Sequence, residues 1–299
     1  MTNYFKTALL LLAMGTSGLI HSQESDLSTK VEYTYFPQTN SDNSFRRFRA
    51  RVNYPFKLAE RAYLIPGIEY RNVNLKYGDD APFLANNLER FESFTTRLTY
   101  TFGLKKDWRF AVRGGIMVAS NFGRSDIISD DVIYTGGVYL IKDRGPNEVD
   151  LPWRIVFGIR YSTKSGRPFP LPVINYFKTI NEKWEYTLGV PKTKLSYLFN
   201  KKNRLTAFAE LDGFYANIQE PIGFQNVNGE MKYADDITMT VVLGGFGYEH
   251  YFTKHLLIFG YAGYTILNDI RLRNADKDDI YTINDSNSFY SRVGIEFKL

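Results

Sequence analysis

The chain has 299 residues, a formal net charge of +5 and no cysteine. The missing cysteine excludes disulfides, thiol catalysis and a cysteine-linked lipid anchor. The basic residues alternate with apolar ones instead of forming a patch, which argues against a nucleic-acid partner. Aromatic residues reach 16% while mean hydropathy is only −0.30. A barrel that crosses a membrane with half-polar strands can have this balance, and its interfaces demand the aromatics.

Residues 1–22 read as a secretory signal peptide, with Lys6 as its basic start, 8–20 as the apolar stretch and Ser22 before the cut. The rest, 23–299, reads as one domain without an internal repeat or linker. No apolar run in it is long enough for a helical span. Its signature is period-two alternation. Segment 47–54 sets arginines against Phe48, Ala50, Val52 and Tyr54, and segment 153–161 sets Arg154 and Arg160 against Phe157 and Ile159. Side chains in a strand alternate between faces. A series of such segments behind a signal peptide predicts an all-β fold, a single antiparallel transmembrane barrel with lipid outside and a polar lumen.

The predicted strands are 28–37, 44–56, 61–73, 91–104, 108–120, 131–142, 152–163, 172–179, 184–190, 193–200, 204–217, 236–252, 256–268 and 287–299. Pro168, Pro170, Pro172 and Pro191 interrupt the middle of this series. Proline cannot donate to a ladder, so twelve strands is the alternative to fourteen. Tight charged turns follow the even strands at 57–60, 105–107, 181–183, 200–203 and 253–255. Long polar connections follow odd strands at 74–90, 121–130, 218–235 and 269–286. This asymmetry places the short side in the periplasm and the long loops outside. The turn at 143–151 is longer than its peers on the short side.

The apolar partners define the inner face. Up to the seventh strand the inward charges are Lys30, Arg47, Arg49, Arg51, Arg71, Arg97, Arg109, Arg113, Arg154 and Arg160, against Glu32 and Glu69. From the ninth strand onward they are Lys194, Arg292 and Lys298, against Glu185, Glu210, Asp212, Glu249 and Glu296. One wall is therefore expected to be basic and the opposite wall acidic. Two readings stay open. In the first, an arginine ladder in a water-filled pore selects anions. In the second, Arg–Glu and Arg–Tyr bonds cross a narrow barrel and hold its shape.

Little in the sequence suggests catalysis. His250 and His255 sit at the short-turn end of the twelfth strand, and no serine has a reason to join them. Asp79-Asp80, Asp130-Asp131, Asp235-Asp236 and Asp278-Asp279 lie in or beside loops without the spacing of a calcium loop. Neither an enzyme nor a metal or other cofactor is expected. The last strand alternates Phe289, Val293, Ile295, Phe297 and Leu299 with Tyr290, Arg292, Gly294, Glu296 and Lys298. This resembles the C-terminal signal read by the barrel-insertion machinery of the outer membrane, with the aromatic Phe297 two positions from the end.

Pro172-Val173-Ile174-Asn175-Tyr176, then Trp184, then Leu188-Gly189-Val190-Pro191 resemble a family of uncharacterised Gram-negative outer-membrane barrels, classed as a domain of unknown function. The resemblance implies an outer-membrane barrel and carries over no catalytic residue. Fatty-acid-transporter barrels share the strand number, but the plug segment that precedes theirs has no counterpart before the first strand here. The expected function is porin-like passage of small polar or anionic solutes. The alternative is a closed structural or surface-interaction barrel acting through its outer loops. A lipid-modifying enzyme and a hydrophobic-solute channel rank below both.

Overall fold

The computed structural model describes residues 28–37, 43–77, 82–83, 88–105, 107–124, 126–145, 148–163, 169–225 and 228–298. The expected signal peptide, the Asp79-Asp80 pair, Pro168 and Leu299 lie outside these residues. The strands are β1 (Ser28–Pro37), β2 (Ser44–Asn53), β3 (Phe56–Ala59), β4 (Ala62–Lys76), β5 (Arg90–Gly103), β6 (Trp108–Ser120), β7 (Val132–Arg144) and β8 (Trp153–Ser162). They continue as β9 (Phe169–Thr179), β10 (Trp184–Val190), β11 (Lys192–Asn200), β12 (Asn203–Gln225), β13 (Met231–Tyr251), β14 (Leu256–Arg273), β15 (Asp279–Asn284) and β16 (Phe289–Lys298).

Proline at position 55 separates β2 from β3, and both pair with β4. Likewise β15 and β16 share β14. Each of these couples forms one stave, so the sixteen strands make a closed antiparallel barrel of 14 staves. The β1–β16 ladder, from Ser28↔Lys298 to Tyr35↔Ser291, completes the ring. Twelve staves is thus excluded. Pro170 and Pro172 are accommodated in β9, because β10 pairs with β9 only from Ile174 to Thr179, and Pro191 lies between β10 and β11. At Pro170 and Pro172 the strand has an open edge, where a missing donor costs little.

An apolar belt surrounds the barrel. Val31, Phe48, Ile68, Phe94, Ile116, Val138, Ile174, Leu188, Leu195, Phe246, Ile258 and Val293 all point outward and are exposed. Phe157 and Ile159 are 42% and 54% exposed. In water such a surface would be a large unpaid apolar area, so its solvent is a bilayer. Aromatic residues gather at the end carrying the tight turns, where Trp184 packs on Tyr197 and Tyr54 on Phe56. The Lys142 ammonium lies 5.2 Å from the Trp108 ring and 5.8 Å from that of Trp153. This pairing, with Arg144 on Asp107 at 2.9 Å, anchors the unusually long turn after β7. Amphipathic rings of this kind settle at a membrane interface.

The far end differs from expectation. The stretch 218–235 is predicted as a polar loop, yet β12 and β13 run on through most of it to Gln225 and from Met231. The stretch 269–286 likewise contains the end of β14 and all of β15. The reason is a second apolar pattern. Ile218, Phe224, Ala234, Ile237, Ile270 and Leu272 are buried against Phe36, Phe45, Phe83, Leu88, Phe91 and Tyr290. These residues fill the inside of the barrel at its loop end, as a small soluble core would.

One irregularity shapes that end. The β12–β13 ladder skips from Asn217↔Asp236 to Ile222↔Ala234. The extra residues of β12 bulge inward and reach β6, where Asn217 pairs in parallel with Ser120. Five staves, β7 to β11, separate β6 from β12 around the ring. The bridge therefore divides the loop end into a filled ring on one side and a bay bounded by β7–β11 on the other.

Candidate functional site: the two sectors of the lumen

The filled sector is layered. Nearest the loop end lies the aromatic layer, with Phe36 on Phe45 at 5.4 Å, Phe36 on Tyr290 at 5.0 Å and Phe91 on Phe214 at 5.7 Å. Period-two spacing puts the charged layer two residues further along each strand. Arg47 follows Phe45, Asp212 precedes Phe214, and Arg292 follows Tyr290. Both Arg47 and Arg292 are almost completely buried. Arg47 donates to Asp212 through both terminal nitrogens, Nη1 to Oδ1 at 3.2 Å and Nη2 to Oδ2 at 2.5 Å. Arg292 reaches Asp212 at 2.9 Å and Glu210 at 3.4 Å. These bonds join β2, β12 and β16 across the interior. Unpaired, a charge buried there would cost several kcal/mol.

The adjoining carboxylates are also neutralised. Glu32 takes Lys30 at 2.9 Å and Arg49. Glu210 also takes Lys192 at 3.2 Å. Arg204 pairs with Glu185 at 3.2 Å and Glu249 at 3.5 Å. Glu249 further accepts from the Tyr261 and Tyr251 hydroxyls, at 2.7 and 3.1 Å. Glu296 is buried and stands opposite Lys30 in the β1–β16 register. Arg204 and Lys192 are absent from the sequence-derived set of inward charges. Parity could have found both, since 204 shares its face with 210 and 212, and 192 with 194.

The second sector holds the remaining arginines on β2, β4, β5, β6 and β8. Arg71 and Arg97 share Glu69, at 2.5 and 2.8 Å. Arg113 donates Nε to the Thr99 hydroxyl at 2.9 Å and lies over the Tyr139 ring. Arg154 approaches Asp143 at 3.7 Å, both only half-buried. Among the described residues no carboxylate comes within ion-pair distance of Arg51, Arg109 or Arg160. The three-arginine ladder of β2 therefore meets three fates. Arg47 crosses the lumen, Arg49 pairs with the neighbouring strand, and Arg51 faces open space. That space is a cavity of about 50 Å³ lined by Arg51, Asn53, Ile65, Arg97, Thr99 and Arg113.

The bridge from β12 to β6 is polar and buried, and of its residues sequence reasoning singled out only Asp131, as a loop carboxylate. Asp131 follows the turn before β7 and is fully buried. Its carboxylate accepts from Asn217 Nδ2 at 2.9 Å, Gln219 Nε2 at 2.7 Å and the Ile128 amide at 3.0 Å. Gln219 N–H donates to Asn121 Oδ1 at 3.1 Å. No local pattern marks these residues, because their partners are brought together only by the bulge in β12. The histidines are held by structural partners, His250 by Asn203 and His255 by the Lys298 carbonyl. Among the described residues no group of three or more His, Cys, Asp or Glu could hold a metal ion.

Several solved barrels are similar in outline. The KdgM porin matches with a TM-score of 0.36 and 8% identity over 91% of this chain and 99% of its own. A mutant of the TodX monoaromatic hydrocarbon channel matches at 0.39 and 13%, over 91% and 89%. LpxR from Salmonella typhimurium matches at 0.39 and 9%, over 91% and 100%. No curated protein sequence matches the chain. Residues 93–298, which run from β5 to β16 and make up more than half of the chain, match the model described as "Domain of unknown function (DUF6268)", and the chain belongs to that family.

Proposed function

We propose that the barrel passes small anions along the basic sector of its lumen, and that the opposite sector is a permanent internal scaffold. The observation that supports this reading is the division of charge. Inward carboxylates are concentrated where arginine and lysine already neutralise them, while among the described residues none pairs with Arg51, Arg109 or Arg160. Fixed cations on a low-dielectric wall raise the local anion concentration. The path runs past Arg109 and Arg154 near the tight-turn end and past Arg160 on β8, beside the β7–β11 bay. The reaction is passage, with no bond made or broken.

The test is single-channel recording of refolded protein in a planar bilayer under a salt gradient. The expected result is a conductance whose reversal potential favours chloride. Arg109→Gln combined with Arg160→Gln should move that potential toward zero. A second reading, a closed structural barrel, is favoured by the ion pairs that bind β2 to β12 and β16 across the interior. Absence of any conductance from correctly folded protein decides for the closed barrel.

A further inference from the structure

We infer that the cavity between β2, β4, β5 and β6 is a fixed binding site for a small oxyanion, a phosphate or carboxylate group. This deepens the anion-passage reading and gives that path one defined stopping place. The cavity is bounded by three guanidinium groups, Arg51, Arg97 and Arg113, with Asn53, Thr99 and Ile65 completing its wall. Arg97 feels the repulsion of both Arg51 and Arg113. Only Glu69 among the nearby carboxylates offsets them, and Arg71 shares it. Four arginines, Arg51, Arg71, Arg97 and Arg113, thus gather around Glu69, and positive charge is in excess there.

The donors are placed to use that charge. Arg51 lines the cavity, and its buried Nε has no hydrogen-bond partner, so the protein does not hold this guanidinium through that atom. Thr99 accepts from Arg113 through its hydroxyl oxygen, which leaves the hydroxyl hydrogen available to a ligand. A planar guanidinium matches the two oxygens of a carboxylate or phosphate edge and has no such match with a spherical halide. Glycine lets these side chains lie along the wall. A Cβ at Gly67 would collide with the Asn53 amide, and one at Gly115 would crowd the Arg97 stem. The volume is also suitable. A water needs about 10–15 Å³ of such space, so a cavity of about 50 Å³ holds a few waters or one small oxyanion.

Isothermal titration of detergent-solubilised barrel with inorganic phosphate, then with acetate, tests the site independently of conduction. Saturable binding of one equivalent is expected. Arg51→Gln should weaken it by about tenfold, the loss of one charge-assisted contact. The same variant should melt no lower than the parent, since no carboxylate among the described residues pairs with Arg51. Arg109→Gln, which lies outside the cavity, should leave the dissociation constant within about twofold, well under the tenfold step. Lack of saturable binding by either anion, or binding that Arg51→Gln does not change, overturns the site. Chloride conductance measured alongside separates the two ideas. A selective conductance without phosphate binding removes the site and leaves the passage reading. Phosphate binding without conductance does the reverse.

Discussion

The two halves of the lumen use the same residue type for opposite ends. In the sector of β12–β16, β1 and β2, Arg47 and Arg292 are buried and bonded to carboxylates of other strands, under a lid of aromatic rings. In the sector of β5–β8, arginines of the same parity are half-buried, and two of them, Arg109 and Arg160, meet no carboxylate among the described residues. Alternation with apolar residues explains why all of them face inward. It says nothing of whether they meet a partner or water. The difference lies in what stands across the barrel, and the Asn217–Ser120 bridge sets that by pulling β12 toward β6.

The sharpest way to break the contrast is to remove the hub of the dry sector. Asp212→Leu strands the buried Arg47 guanidinium and leaves Arg292 only its longer contacts to Glu210 and Glu32. Loss of one partner of a buried pair costs about 3–5 kcal/mol, and a urea folding titration in lipid vesicles should show it. A loss below 1 kcal/mol, about the worth of an exposed pair, would mean that water enters this sector too.

The next effect tests the wall between the wet sector and lipid. Phe157→Arg puts a charge in the bilayer and should cost about 2–4 kcal/mol near the midplane. Its neighbour Gly158 points inward, where period-two reasoning would make a larger side chain harmless in an open pore. The structure corrects this. A Cβ at Gly158 would strike the Tyr139 ring and the Val138 carbonyl oxygen. Gly158→Leu should therefore destabilise by about 1–3 kcal/mol through overpacking, read by the same titration.

A third test concerns the bridge itself. Asp131→Ala removes the acceptor of three hydrogen bonds and leaves the Asn217 and Gln219 amides buried without it. The cost should be about 1–3 kcal/mol. Amide hydrogen exchange should quicken in residues 217–221 before it does in β13. Uniform exchange across both strands would show that the bulge is held by the apolar layer instead.

The smallest effect on stability belongs to the wet arginines. Arg109→Gln and Arg160→Gln should each change folding free energy by no more than about 0.5 kcal/mol, as surface substitutions do. Both should nonetheless lower anion preference in reversal-potential measurements. A stability loss near that of Asp212→Leu would erase the distinction between the sectors.

Much of this barrel was legible in the residues. The strand count, the lipid-facing Phe157 and Ile159, and the position of most turns follow from a period of two and from clusters of charge and glycine, which are local properties. The inward face of Arg47, Arg49 and Arg51 follows in the same way. Their partners do not. Arg47 lies 165 positions from Asp212 in the chain, and their meeting depends on how the ring closes and on the stagger accumulated around it. The stretch 218–235 reads as a polar loop, because only contact with Phe36, Phe45 and Leu88 from distant strands gives Ile218, Phe224 and Ala234 a core to join. Local alternation thus determined the staves and their faces. The tertiary structure alone decided which charges are paired, which remain open to an anion, and where the lumen is filled, because each of these is a contact between strands far apart in sequence.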